Sequence, residues 1–272
     1  MLETHDAFEQ KFLGLLDQQA SLPAFTQRIL DRYYDLSSTI DADKRLVASL
    51  LQLAEVIDQW GQKLAKLDLE PRYHNRQHAR EVLLAMVLLL HTQDSDNTQF
   101  AWPDKQWPYF QLHDQLLMLI AALGHDFLHP GSVNTFPHEL ERQSAHGVEA
   151  IMLDHEVGSD DIDFVKTLIL ATEFEFVQGL HSRLINPPSS GEIDRTLRAS
   201  ILVTEADILP SVLPSHGQIL AQQLAQEWQM AKVVGREDPS LPQTRTKFLT
   251  RVRFSSPHAS RLGIPQLIQS QL

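Results

Sequence analysis

The sequence predicts an all-α protein, a single compact multi-helix domain. Three observations point there. Apolar residues recur at three- and four-residue steps along most of the chain, no segment alternates with the period of two that marks a strand, and glycine is sparse, with 11 in 272 residues. A chain of this length buries a full core without covalent staples. With no cysteine, disulfides are ruled out, and any metal must be held by histidine and carboxylate.

Taken in order, helical spacing runs through 8–16 and 24–36. It is clearest in 41–67, where Leu46, Val47, Leu50, Leu53, Ala54, Ile57, Trp60 and Leu64 form a core-facing stripe and Asp41 or Asp43 is placed to cap the start. It continues through 77–90, 112–123, 139–153, 162–171, 193–203 and 217–233. Between these, 92–106 is polar and carries Trp102-Pro103, a loop signal. His129-Pro130-Gly131 ends a helix, and 185–191 and 235–243 read as surface connections. Trp102, Trp107, Tyr109 and Phe110 suit a loop folded over the core. No stretch is long enough for an interdomain linker and no repeat is visible. The expected organisation is an N-terminal helical layer, 1–65, packed on a core formed by 66–272.

The formal charge of −12 excludes binding to long nucleic acid, where basic patches supply the affinity. It does not exclude a small anionic substrate, because a bound metal reverses the local field. The first 20 residues lack the basic and apolar regions of a signal peptide. The longest apolar runs, 82–90 and 116–123, fall well short of the roughly 20 residues of a membrane span. A cytoplasmic protein without membrane partners is the expectation.

Nine of the 13 histidines lie between His74 and His155. In Tyr73-His74-Asn75-Arg76-Gln77-His78, a helix starting at His74 or Asn75 would put His74 and His78 on one face. Two solvated histidines at a polar helix start would explain the segment equally well. In 120–131 an apolar helix runs into His125 and Asp126, with His129 four residues after His125. Placing an imidazole and a carboxylate at the end of a buried helix is costly without compensation, which a divalent cation would provide. Asp207 stands near the end of another apolar helix, before Pro210. An aspartate there is ordinarily a cap, and it gains weight only in company with the other two segments.

His…His-Asp…Asp in a helical chain resembles the HD superfamily of metal-dependent phosphohydrolases, and in detail the catalytic domain of class I cyclic nucleotide phosphodiesterases. The motif Tyr-His-Asn-x-x-His-Ala-x-x-Val is met from Tyr73 to Val82, and His-Asp-x-x-His-Pro-Gly from His125 to Gly131, with Asn134 following. Ile169-Leu170-Ala171-Thr172-Glu173-Phe174 and Ala206-Asp207-Ile208 are similar to later family segments, so the resemblance spans about residues 70–265.

It implies hydrolysis of a small phosphate ester, with cyclic nucleotides among the candidates, and two divalent metal ions. His78, His125, Asp126 and Asp207 would hold the first ion (Zn, Fe or Mn), and Asp126 would bridge to the second (Mg or Mn). His74 would be the general acid. His129, Asn134, Glu141, Thr172 and Glu173 would stand behind the ligands or face substrate. Two metals lower the pKa of a bridging water from ~16 towards ~7, and the hydroxide so formed attacks phosphorus. A histidine with an ordinary pKa of ~6.5 can protonate the departing oxygen.

The chain departs from the pattern mainly where the family binds purine. There a glutamine stands three residues before a stacking phenylalanine. The corresponding stretch is read as 260–264, with Arg261 for the glutamine and Ile264 for the phenylalanine. Thr204 and Glu173 replace a family histidine and aspartate, and Gln143 falls where a glutamate is usual, with Glu141 its nearest substitute. His91, His113, His138 and His155 are read as surface or helix-end residues. His146 is read as a helix-face residue, although His146 and His181 would be needed by the alternative of an HD-type di-iron oxygenase. A non-catalytic HD-fold regulator is the other alternative.

Overall fold

The computed structural model describes residues 5–16, 20–37, 39–92, 107, 110–185 and 194–272. These form α1 (His5–Leu15), α2 (Leu22–Tyr33), α3 (Asp41–Lys66), α4 (Arg76–His91), α5 (Leu112–Gly124), α6 (Glu139–Asp154), α7 (Ser159–Leu170), α8 (Phe174–Ile185), α9 (Arg195–Val212), α10 (His216–Met230), α11 (Pro242–Arg251), α12 (Pro257–Arg261) and α13 (Ile264–Gln269). No strand occurs among the described residues, and no helix of theirs is long and apolar enough to cross a membrane.

The interior is built on α4, α5 and α9. In α4 the six consecutive residues Val82, Leu83, Leu84, Ala85, Met86 and Val87 are all buried, as are Leu116 to Leu123 in α5. A helix that is apolar all round must be covered on every side. Accordingly α4 packs on α9, α5 and α2, while α3 and α7 pack on α5. One large apolar cluster runs from Phe8 to Ile268, with a small second one at Leu197 and Ile201. Phe110 is fully buried within the large cluster, and Trp107 packs near His258, with ring centroids 5.8 Å apart. Trp102, Tyr109 and the connection 186–193 lie outside the described residues.

Several boundaries differ from the sequence reading. The N-cap of α3 is Ile40, without a side-chain cap; Asp41 and Asp43 sit in the first turn, where the helix dipole favours negative charge. Asp43 also meets the His113 Nδ1 at 2.9 Å, and the Nε2 of that ring lies 3.0 Å from Asp161. His113 therefore ties together the starts of α3, α5 and α7. α9 does not stop before Pro210 but continues through it to Val212. A proline there forfeits the one bond its N–H would have donated to residue 206, and its ring is buried.

Candidate metal centre

The first turn of α4, the end of α5 and the last third of α9 meet at one place. Asn75 caps α4: its Oδ1 accepts from the N–H of Gln77 (2.8 Å) and of His78 (3.2 Å), and its Nδ2 donates to the Arg72 carbonyl (2.8 Å). Asn75 being the cap, His78 lies in the first helical turn and His74 before the helix. The expectation that both share one helical face is thus corrected: their rings stand 6.1 Å apart at 89°. Glu70 fixes the approach to the cap by accepting two bonds from the Arg76 guanidinium (2.8 and 3.0 Å).

His125 is the residue at which α5 ends. Its Nδ1 lies 2.9 Å from the Ala122 carbonyl, which makes that nitrogen a donor and turns Nε2 towards the carboxylates. The Nε2 lies 2.9 Å from Asp126 Oδ2 and 3.2 Å from Asp207 Oδ1. His78 Nε2 is 3.2 Å from the same Asp207 oxygen and 3.5 Å from Asp126. Ligand atoms of His78, His125 and Asp207 all lie within 4.8 Å of one another, as do those of His74, Asp126 and His129.

Both imidazoles are almost wholly buried, and neither Nε2 has an aligned hydrogen-bond partner. Buried polar atoms are nearly always satisfied, so such orphans need an explanation. Burial alone would depress His78, but Asp126 and Asp207 outweigh it and hold the ring at about 9. His125 is likewise held well above its ordinary value against its burial. Burial would raise Asp126, yet His125 and His74 pull it well below the usual carboxylate range. Asp207 falls in the same way to about 2, chiefly through His125. Two carboxylates here demand positive charge from whatever stands between them. Two nitrogens and two carboxylates are a donor set that suits Zn, Fe or Mn.

His74 is held from behind. Its Nδ1 is 2.5 Å from Glu227 Oε1 on α10, and Glu227 Oε2 accepts the N–H of Tyr73 (2.8 Å) and of His74 (3.0 Å). The other edge of the ring, Nε2, faces Asp126 at 3.9 Å. His129 stacks on His74 at 3.8 Å between centroids and is pushed down to about 3 by burial and by His74, so it is neutral. Gly131, at φ 79°, lets the chain turn beneath Glu227, whose Cγ would lie 3.0 Å from an added Cβ.

Beyond the ligands opens a cavity of about 730 Å³. Asn134, Glu141, Thr172 and Glu173 line one side. The Asn134 amide donates to Glu141 (2.9 Å) and to Glu173 (3.0 Å), and Glu173 also accepts the His138 N–H (2.7 Å). Burial raises the Glu141 carboxyl. His138 is thus tied to the cavity wall rather than loose on the surface. Arg261 and Ile264 do not reach this space: Arg261 is exposed and Ile264 fully buried in the core. An Arg and a Phe three residues apart do line the cavity, but they are Arg245 and Phe248 on α11. His146 is solvent-exposed beside Glu149, and His181 is bonded to Ser255 at 2.6 Å; neither belongs to the two histidine–aspartate groups.

A family model described as 3'5'-cyclic nucleotide phosphodiesterase matches residues 73–150. The crystal structure of the phosphodiesterase domain of the RhoPDE fusion protein from the choanoflagellate Salpingoeca rosetta superposes with a TM-score of 0.65 at 18% identity, covering 95% of this chain and 91% of that one. The chain resembles class I phosphodiesterases. No curated protein sequence matches it. The matched stretch holds both histidine motifs, while Asp207, Glu227 and α11 lie beyond it.

Glu227, Arg245 and Phe248 escaped the sequence reading. For Glu227 a signal exists: it continues the stripe Leu220, Leu224 on α10, standing buried where an apolar residue belongs. Arg245 and Phe248 sit in a short, polar helix with a single buried residue, Leu249, which carries little periodicity to notice.

Proposed function

We propose that this protein is a metal-dependent phosphodiesterase acting on a small phosphate ester, with cyclic nucleotides the class favoured by the matched region. The observation that carries the reading is the convergence of two buried imidazole nitrogens, neither in an aligned hydrogen bond, on two carboxylates beside a large cavity. His78, His125, Asp126 and Asp207 would hold one divalent ion and Asp126 would reach a second. Ions bound there would supply a water of lowered pKa and neutralise the phosphoryl oxygens.

The chain's own groups do the rest. His74 offers a proton at Nε2 to the departing oxygen, while Glu227 fixes the ring by accepting at Nδ1. His129, neutral, flanks that ring without competing for the proton. Thr172 donates its hydroxyl proton to the Ile169 carbonyl (2.8 Å), so its oxygen accepts from water in the cavity. A di-iron oxygenase would need further histidine ligands, and the placements of His146 and His181 speak against it. The test is hydrolysis of bis(4-nitrophenyl) phosphate by protein loaded with Mn or Mg. Asp126→Ala is expected to abolish turnover, and full activity in that variant would discard this site.

A further inference from the structure

The wall of the cavity formed by α11 presents Thr244, Arg245 and Phe248. The Phe248 ring lies against Phe174, centroids 5.9 Å apart at 28°, giving an apolar face suited to a flat ring. Arg245 is fixed beside it. Its Nη1 donates to the Ser211 carbonyl (3.2 Å), and its Nη2 to the Leu213 carbonyl (3.0 Å) and to Gln271 Oε1 (2.8 Å). These acceptors surround the end of α9, so part of the role of Arg245 is to satisfy that helix terminus.

That role leaves something over. A guanidinium carries five N–H donors and no acceptor, and three are used. No carboxylate among the described residues forms an ion pair with it, Glu9 acting only through space, and burial lowers its pKa. Two donors therefore remain on a residue that lines the cavity, next to Thr244, whose buried hydroxyl has no partner and can donate or accept. Because three bonds lock the guanidinium plane, it cannot rotate to present anything but N–H.

On the reading that this site is a phosphodiesterase, we propose that Arg245 is a specificity-determining residue. It selects a substrate ring whose edge offers a carbonyl oxygen over one offering an amino group. A 6-oxopurine is preferred over a 6-aminopurine, because a carbonyl oxygen opposite Arg245 accepts a charged hydrogen bond and an amino group there cannot.

The test compares kcat/KM of the Mn-loaded protein for 3',5'-cyclic GMP and 3',5'-cyclic AMP, which share sugar and phosphate. The oxo substrate is expected to lead by about tenfold or more, the scale of one charged hydrogen bond. A ratio near one, or reversed, overturns the proposal without any variant. Arg245→Gln, which restores an acceptor, is expected to bring the ratio within about threefold. An unchanged ratio in a folded Arg245→Gln protein also overturns it. Calorimetric binding of GMP and AMP should follow the same order. If the wild type leaves bis(4-nitrophenyl) phosphate intact, the phosphodiesterase reading fails and this proposal with it. Hydrolysis of that ester with no preference between the nucleotides removes only the assignment to Arg245.

Discussion

Replacing Glu227 by glutamine separates the role of His74 from that of the ligands around it. The carboxylate, lowered against its burial by His74, accepts three bonds: from His74 Nδ1 (2.5 Å) and from the backbone N–H of Tyr73 (2.8 Å) and His74 (3.0 Å). A glutamine oxygen can keep the two backbone bonds, but its NH₂ then faces Nδ1 and the charge is lost. One charge-assisted bond disappears, a loss of about 1.5–3 kcal/mol, which lowers Tm by several degrees without unfolding a chain of this size. With the amide donating to Nδ1 the ring carries its one proton on Nε2 and loses the carboxylate that supports the doubly protonated imidazolium, the stronger acid, so proton donation to the leaving oxygen suffers. General acid catalysis contributes about 10²–10⁴-fold. A fall in kcat of roughly 10²-fold, about 2.7 kcal/mol, is therefore expected on an ester with an alkoxide leaving group. On bis(4-nitrophenyl) phosphate, whose leaving group needs little protonation, the fall should be less than about tenfold. Metal content, measured by elemental analysis, should be unchanged. Equal losses on both esters, with metal retained, would refute the assignment of His74 as proton donor and Glu227 as its support.

Glu205 tests a second buried carboxylate. Burial lifts it to about 7 although it accepts the N–H of Ser255 (2.6 Å) and Ser256 (2.8 Å) and the Ser256 hydroxyl. Because the folded state raises its pKa, native protein binds the proton more tightly than unfolded chain, and stability falls as pH rises from about 4.5 to 7. Glu205→Gln removes that penalty, so Tm of the variant relative to wild type should climb between pH 5 and pH 8, by up to the equivalent of about 3 kcal/mol. A flat difference across that range, read by calorimetry, would show that Glu205 stays neutral or is relieved by other means. Gly147 is a packing test: an added Cβ would overlap the Phe127 ring, next to Asp126. Gly147→Ala should lose about 1–3 kcal/mol in denaturant melts and weaken metal retention. Wild-type behaviour in both would mean that Phe127 moves aside freely.

Much of this was legible in the sequence because it was local. Strong periodicity placed α3, α4 and α5, and two contiguous motifs delivered His74, His78, His125, Asp126 and His129. What was not legible depends on distance along the chain. Glu227 reaches His74 across 153 residues, and only its position on an apolar stripe hints at burial. Spacing from Asp207 and the Ser and Gly of 260–264 point to that stretch as the cavity wall. The fold instead gives that wall to α11 and sends Ile264 into the core. Pro210 misled in the opposite way: the rule that proline ends a helix yields when α9 is buried along its length. His113 looked like a surface residue because neither of its partners, Asp43 and Asp161, is near it in sequence.

The metal-holding role of His78, His125, Asp126 and Asp207 underlies the rest of the proposed chemistry. Elemental analysis of the wild type against Asp207→Asn and His78→Ala, after dialysis with Mn or Zn and removal of excess, addresses it directly. At least one tightly held ion per wild-type chain is expected, lost from both variants while helical circular dichroism persists. Metal-free wild-type protein after loading, or variants that retain the ion at full occupancy, would contradict it.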